Sequence, residues 1–282
     1  MAEIFTSLPR RDILKFGTGG ALATMAGGTL PLSPLLAAST ETSEPADMLH
    51  KSISFIRRKP GLTLEEFHQH WLGSHGPGAR QIPGIEGFVL GEIAVDPGAA
   101  QSSATGAVQL DGIAESWQAP GIRRAEQAKT NPHVREWLAA APNYIGALNI
   151  YVTREHVFVP PKRGGKKVMT LLYPKEGQSR EDFVRHVLEV HGPLSRNVPG
   201  LRGYVLSEII RAPAMPGMPQ IEELGEVGII GQSWMSPDPD EQTPDSEGRR
   251  AWLADGKANF GSFKRFVMTE HEFVPPPYDT PA

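Results

Sequence analysis

The chain has 282 residues, 39% hydrophobic and 21% charged, with a formal net charge of −4 and a pI near 6.2. No long block of lysine and arginine appears, which makes nucleic acid or an anionic membrane surface a poor partner. There is no cysteine, so disulfides, thiolate nucleophiles and cysteine-ligated zinc or iron–sulfur centres are excluded.

Residues 1–38 read as an address rather than as fold. Arg10-Arg11 is followed by Ile13-Leu14 and Lys15, then a mildly apolar, glycine-dotted stretch to Leu36 and the small residues Ala37-Ala38-Ser39. This is the layout of a twin-arginine export signal, which predicts a periplasmic or secreted protein. An amphipathic first helix is the competing reading, and the glycines from Gly17 to Gly27 disfavour it. Residues 39–50 form a polar linker, and beyond the signal no run of eighteen apolar residues could span a membrane.

The first module is expected over residues 51–161. Ile53–Ile56 reads as a strand closed by Arg57-Arg58-Lys59-Pro60-Gly61. Thr63 is placed to cap a helix, with Glu65 and Glu66 in its first turn and Phe67 and Trp71 on its apolar stripe. Gly76-Pro77 is expected to stop that helix, leaving His75 at its C-terminus. A turn and second strand follow over 83–93, then an exposed loop, Pro97 to Gly106. A third strand is expected over Val108–Trp117, whose alternation puts Asp111, Ile113, Glu115 and Trp117 on one face. A helical region over 122–140 is broken or restarted at Pro132, and a fourth strand runs from Leu148 to Val159.

The second module, residues 166–276, repeats the first, and 277–282 are a tail. Phe67, His70 and His75-Gly76-Pro77 return as Phe183, His186 and His191-Gly192-Pro193, all at an offset of 116 residues. Trp117 returns as Trp234, Trp137-Leu138-Ala139 as Trp252-Leu253-Ala254, and Glu155-His156 as Glu270-His271, within one residue of that offset. Matches this dense establish a duplication. The order βαββαβ in each copy predicts an α+β chain of two ferredoxin-like modules, each an antiparallel sheet with helices on one face. The bare faces would bury against one another as a barrel within one chain, with Phe158–Pro161 and Phe273–Pro276 as proline-blunted edges.

The Phe-x-x-His…His-Gly-Pro helix after a first strand, followed by Asp111-Gly112-Ile113-Ala114-Glu115-Ser116-Trp117, resembles the EthD-like domain. The resemblance covers nearly all of the chain beyond the signal as two tandem domains. It implies the dimeric α+β barrel superfamily, whose members include cofactor-free monooxygenases, lactone isomerases, cyclases, decarboxylases and haem-binding peroxidases. Fold analogy does not choose among these.

The acid–base candidates are His75, His133, Asp111, Glu115 and His191. At a helix C-terminus His75 and His191 would favour the imidazolium and serve as acid or base, or else cap the helix through backbone. His133, in Asn131-Pro132-His133, is the position where the resemblance to the cyclase branch implies an acid–base histidine; the second copy has none there. Asp111 and Glu115 on an apolar strand face would have raised pKa values, unless solvated or paired with an arginine, and the second copy replaces them with Gly228 and Gln232. His68 and His75, at i and i+7, are too far apart along a helix for one metal ion. No cofactor is expected. The haem-peroxidase pattern Gly-x-x-Asp-Gly fails, because Val108-Gln109-Leu110 precede Asp111-Gly112. The expectation is an exported enzyme acting on a small apolar or aromatic compound by cofactor-free proton transfer, as lyase, isomerase, cyclase or oxygenase. The alternatives are an oxidoreductase with an unseen cofactor and a non-catalytic binding or accessory protein. A homodimer is compatible with either.

Overall fold

The computed structural model describes residues 50–93, 108–162 and 164–279. The twin-arginine stretch, nearly all of the linker and the 97–106 loop lie outside the described residues. So does the end of the tail.

The chain runs β1 (His50–Arg58), α1 (Leu64–His70), α2 (Gly76–Gly78), β2 (Ile85–Ile93), β3 (Gly112–Gln118), α3 (Arg124–Thr130), α4 (Pro132–Ala140) and β4 (Ile145–Val159). It continues with β5 (Lys166–Tyr173), α5 (Arg180–His186), α6 (Gly192–Leu194), β6 (Leu201–Arg211), β7 (Ile229–Met235), α7 (Glu247–Asn259) and β8 (Ser262–Val274). The eight strands close into one antiparallel barrel in the order β1-β3-β2-β8-β5-β7-β6-β4. Within it, β4-β1-β3-β2 and β8-β5-β7-β6 repeat one strand order, and the two sets meet along the seams β2·β8 and β4·β6. We call residues 50–159 and 166–274 the two halves.

The period of two along each strand sorts side chains between the barrel interior and the helix-covered outside. Ile53, Phe55, Ile113, Met169, Leu171, Ile230 and Phe266 fill the interior. Ile56, Phe67, Trp71, Phe88, Trp137 and Tyr144 pack under the helices of the first half, and Leu172, Phe183, Val187, Tyr204 and Ile229 under those of the second. The connection between β6 and β7 adds Ile221, Leu224 and Val227 to the interior core. Its Leu224 carbonyl accepts from the Tyr173 hydroxyl at 2.6 Å.

Local signals explain most element starts. Thr63 and Glu66 form a reciprocal capping box at α1, and Ser179 accepts from the Asp182 amide at α5. Asn131 ends α3 and caps α4 through the His133 and Val134 amides, with Pro132 tolerated as the first helical residue.

Three expectations fail here. The third strand begins at Gly112 rather than Val108, which leaves Asp111 just before it. Gly76-Pro77 and Gly192-Pro193 do not stop their helices. A π turn, Trp71–His75 in one half and Val187–His191 in the other, leads directly into α2 or α6. The Gly76 amide reaches back to Trp71 O, and the Gly192 amide to Val187 O. The widened turn accommodates a proline that cannot donate, so His75 and His191 sit inside a helix and not at a dipole-favoured end. Nor are Phe158-Val159 and Phe273-Val274 free edges. Val159 pairs with Tyr204 and Val274 with Phe88, so these segments are the seams that close the barrel.

The small residue of His-Gly-Pro has a cross-seam role. A Cβ on Gly76 would lie 2.3 Å from the Phe273 ring, and one on Gly192 2.4 Å from the Phe158 ring. Each glycine makes room for an aromatic ring of the opposite half. Arg80 and Arg196, just beyond, donate to the Phe273 and Phe158 carbonyls at 2.7 and 3.3 Å. No described helix is long and apolar enough to cross a membrane.

Candidate functional site

Two groups of polar side chains are buried, one inside the barrel and one beneath the helices. Inside, Lys51 and Lys167 are the second residues of β1 and β5, each almost fully enclosed. Lys51 pairs with Glu115 at 2.8 Å and Glu155 at 2.7 Å, and donates to Gln232 at 3.2 Å. Lys167 pairs with Glu270 at 2.8 Å and also with Glu115. Trp117 and Trp234 donate their indole N–H groups to Glu155 and Glu270, and each lies beneath one of the lysines. One carboxylate therefore bridges lysines from both halves. Burial alone would raise the Glu115 carboxyl, but Lys167 and Lys51 outweigh burial and hold it at about 2. The expected raised pKa is thus reversed: the acid is a permanent anion and no proton donor at neutral pH. Lys167 is likewise held above its ordinary value, Glu115 and Glu270 outweighing burial.

Asp111 does not join Glu115. It accepts from the Arg58 amide at 2.8 Å and pairs with the Arg58 guanidinium, which ties the start of β3 to the end of β1. This is the arginine-paired reading of the sequence.

The second group surrounds the two equivalent histidines, and here the halves differ. In the second half, His191 Nδ1 lies 2.9 Å from one Asp255 carboxylate oxygen and His186 Nε2 3.0 Å from the other. Asn259 adds a 2.8 Å bond to the same carboxylate. His191 packs on Trp252 and Phe260. Burial pulls its pKa down and Asp255 partly restores it.

In the first half Ala140 and Tyr144 occupy the positions of Asp255 and Phe260, one residue apart in offset. His75 stacks on Trp137 with ring centroids 4.0 Å apart, and meets Tyr144 edge-on at 5.9 Å and Phe88 at 5.8 Å. Its Nδ1 and the Tyr144 hydroxyl are both shielded from solvent, and no described protein group bonds either. Burial, helped by Arg124, drives the His75 pKa to about 3, against the raised value expected at a helix end. Burial also raises the Tyr144 hydroxyl. Arg124, at the start of α3, donates to Ser116 and lies 5.6 Å over Trp137. The cluster is therefore a neutral imidazole, a neutral phenol and a guanidinium around an indole.

The five residues expected from sequence do not converge. His75 belongs to the first-half cluster, His191 to the satisfied cluster, Glu115 to the barrel interior and Asp111 to the strand edge. His133 is on α4, with Nε2 3.5 Å from Gly78 O. Sequence reasoning missed Arg124, Lys51, Lys167 and Asp255. The lysines recur at the same 116-residue offset inside an alternating strand, a signal that was present. A cleft of about 540 Å³ opens beside Trp234, Lys166, Met268, Glu270 and Tyr278; it touches neither His75 nor His133.

No curated protein sequence matches the chain. Among solved structures, a candidate monooxygenase from Fusobacterium nucleatum aligns at 11% identity and TM-score 0.51, over 79% of this chain and 91% of that one. An anthrone oxidase-like protein aligns at 11% identity and TM-score 0.49, over 81% and 95%. The likeness to the Fusobacterium protein is one of fold alone. Residues 59–146, which hold the His75 helix, Arg124 and Tyr144, match the family model of the EthD domain.

Proposed function

We propose that the barrel is two tandem EthD-like, ferredoxin-like modules, and that the first is a small-molecule enzyme site. It takes an aromatic compound against Trp137 and Phe88 and moves a proton without a cofactor. His75 Nδ1 accepts the proton from an acidic C–H or O–H of the substrate, and the Tyr144 hydroxyl donates to the oxygen that gains charge. A base held as low as His75 is idle until negative charge develops beside it, which raises its proton affinity. The observation that carries this reading is the pair of shielded, unpartnered atoms, His75 Nδ1 and Tyr144 Oη, in one half only. Buried polar groups are ordinarily satisfied, and an orphaned pair is a place to look for a ligand. Export by the twin-arginine signal belongs to the same proposal, and N-terminal sequencing of protein from the producing cell checks it.

The test is hydrogen–deuterium exchange at the acidic C–H of hydroxyaryl ketones in deuterated buffer, followed by NMR. Exchange accelerated by the protein and lost in His75→Asn and Tyr144→Phe is expected. No acceleration with any such ketone defeats the catalytic part. The cleft beside Trp234, which reaches no histidine, favours a second reading: a binding protein without turnover. Ligand binding abolished by Trp234→Ala, with no exchange, would establish it.

A further inference from the structure

Arg124 has no counterpart in the second half, where a short 3-10 turn, Pro239–Glu241, follows β7 in place of α3. It sits at the start of a helix that contributes no fully buried side chain. Its Nε is nonetheless shielded from solvent, and no described group accepts from it. The guanidinium bonds the neutral Ser116 hydroxyl and faces an indole, and among the described residues no carboxylate pairs with it. Burial lowers its pKa to about 10, with no anion opposing the shift. Arg124 is half-buried rather than enclosed, but a guanidinium whose Nε is shut off from water with no acceptor bears part of the cost of an unpaired buried charge. The fully enclosed Lys51 and Lys167, and half-buried Arg58, each have a carboxylate; half-buried Lys264 has instead the Tyr173 hydroxyl and the Leu224 carbonyl.

We propose that Arg124 is the anion anchor of the first-half site, and that the ligand is bound there as an aromatic oxyanion, a phenolate or the enolate of an aryl ketone. The aromatic body lies against Trp137 and Phe88, and its charged oxygen meets the guanidinium and the Tyr144 hydroxyl. Arginine suits this because its planar fork both stacks on aromatic rings and bonds oxygen. The proposal rests on the site reading above and narrows it from small aromatic compounds to those with an acidic oxygen.

The probe is para-nitrophenol, whose ionised form absorbs visible light. Titrated with the full-length protein, its ionisation midpoint is expected to fall by about one pH unit on binding. In Arg124→Met the midpoint returns to that of free probe, and Arg124→Lys restores part of the shift. A bound probe that stays neutral, or an Arg124→Met protein with the wild-type shift, overturns the anion anchor. If binding is then still lost in Tyr144→Phe, the site reading survives and only the anchor falls. Binding indifferent to His75→Asn and Tyr144→Phe, or no binding at all, removes both. Arg124→Met should melt no lower than wild type; a drop of more than about 5 °C marks the arginine as structural and overturns the proposal.

Discussion

The two halves share a helix with a π turn, a His-Gly-Pro sequence and a glycine that admits the other half's phenylalanine. They part at what the histidine meets. His191 is held by Asp255, which also bonds His186 and Asn259, and its second neighbour is the apolar Phe260. His75 faces Tyr144 and stacks on Trp137 near Arg124, and no described residue bonds its Nδ1. One copy of the histidine completes a hydrogen-bond network, as a structural residue does. The other is left without a described partner at Nδ1, the feature on which the proposed site rests. The Gly-Pro part of the motif is therefore architectural in both halves, and the two histidines differ in their surroundings.

This contrast can be attacked from several sides. The largest stability effect belongs to the one charged break in the interior pseudo-symmetry. Glu115→Gln makes that position like Gln232 and leaves two buried lysines short of an anion. A loss of about 3 kcal/mol in urea unfolding is expected. A loss under 1 kcal/mol would mean that Glu155 and Glu270 suffice. On activity, His75→Asn should slow catalysed exchange by about 100-fold, whereas His191→Asn should leave it unchanged. Equal losses would erase the division of labour.

Asp255→Ala makes the second half resemble the first and orphans two histidines; equilibrium unfolding should show a cost of about 2 kcal/mol with exchange activity intact. Gly76→Ala and Gly192→Ala probe what the halves have in common. Each should cost about 1.5 kcal/mol by overpacking its phenylalanine, and a marked inequality would show that the seams are not equivalent.

The smallest effect concerns pH. With its folded pKa depressed to about 3, His75 binds fewer protons folded than unfolded below pH 6.5, so it lowers stability as pH falls. Between pH 6.5 and 5, unfolding measurements should show a slope that flattens in His75→Asn by on the order of 1 kcal/mol per pH unit. An unchanged slope would mean that the imidazole is solvated.

Much of the fold was legible because repetition and capping are written locally. The 116-residue offset, Thr63 with Glu66, Ser179, and Asn131 before Pro132 all mark elements that the structure contains. Gly76-Pro77 misled because glycine and proline are read as terminators, and only the π turn upstream shows how the helix passes through them. The site was less legible. Lys51 and Lys167 look like strand-end surface residues until the barrel closes over them. Arg124 is one of two adjacent arginines, and nothing in the sequence distinguishes the one turned under α3 onto Ser116. Glu115 was rightly placed indoors, but its ionisation depended on lysines from both halves, information that no local pattern carries.

The short connection between Val159 and Lys166 has a further consequence, since it joins β4 directly to β5. Were the halves separate polypeptides, the barrel would be a mass-action equilibrium and would come apart on dilution. Tethered through so few residues, each half meets its partner at an effective concentration of roughly millimolar, however dilute the protein. The midpoint of thermal unfolding should then be independent of protein concentration.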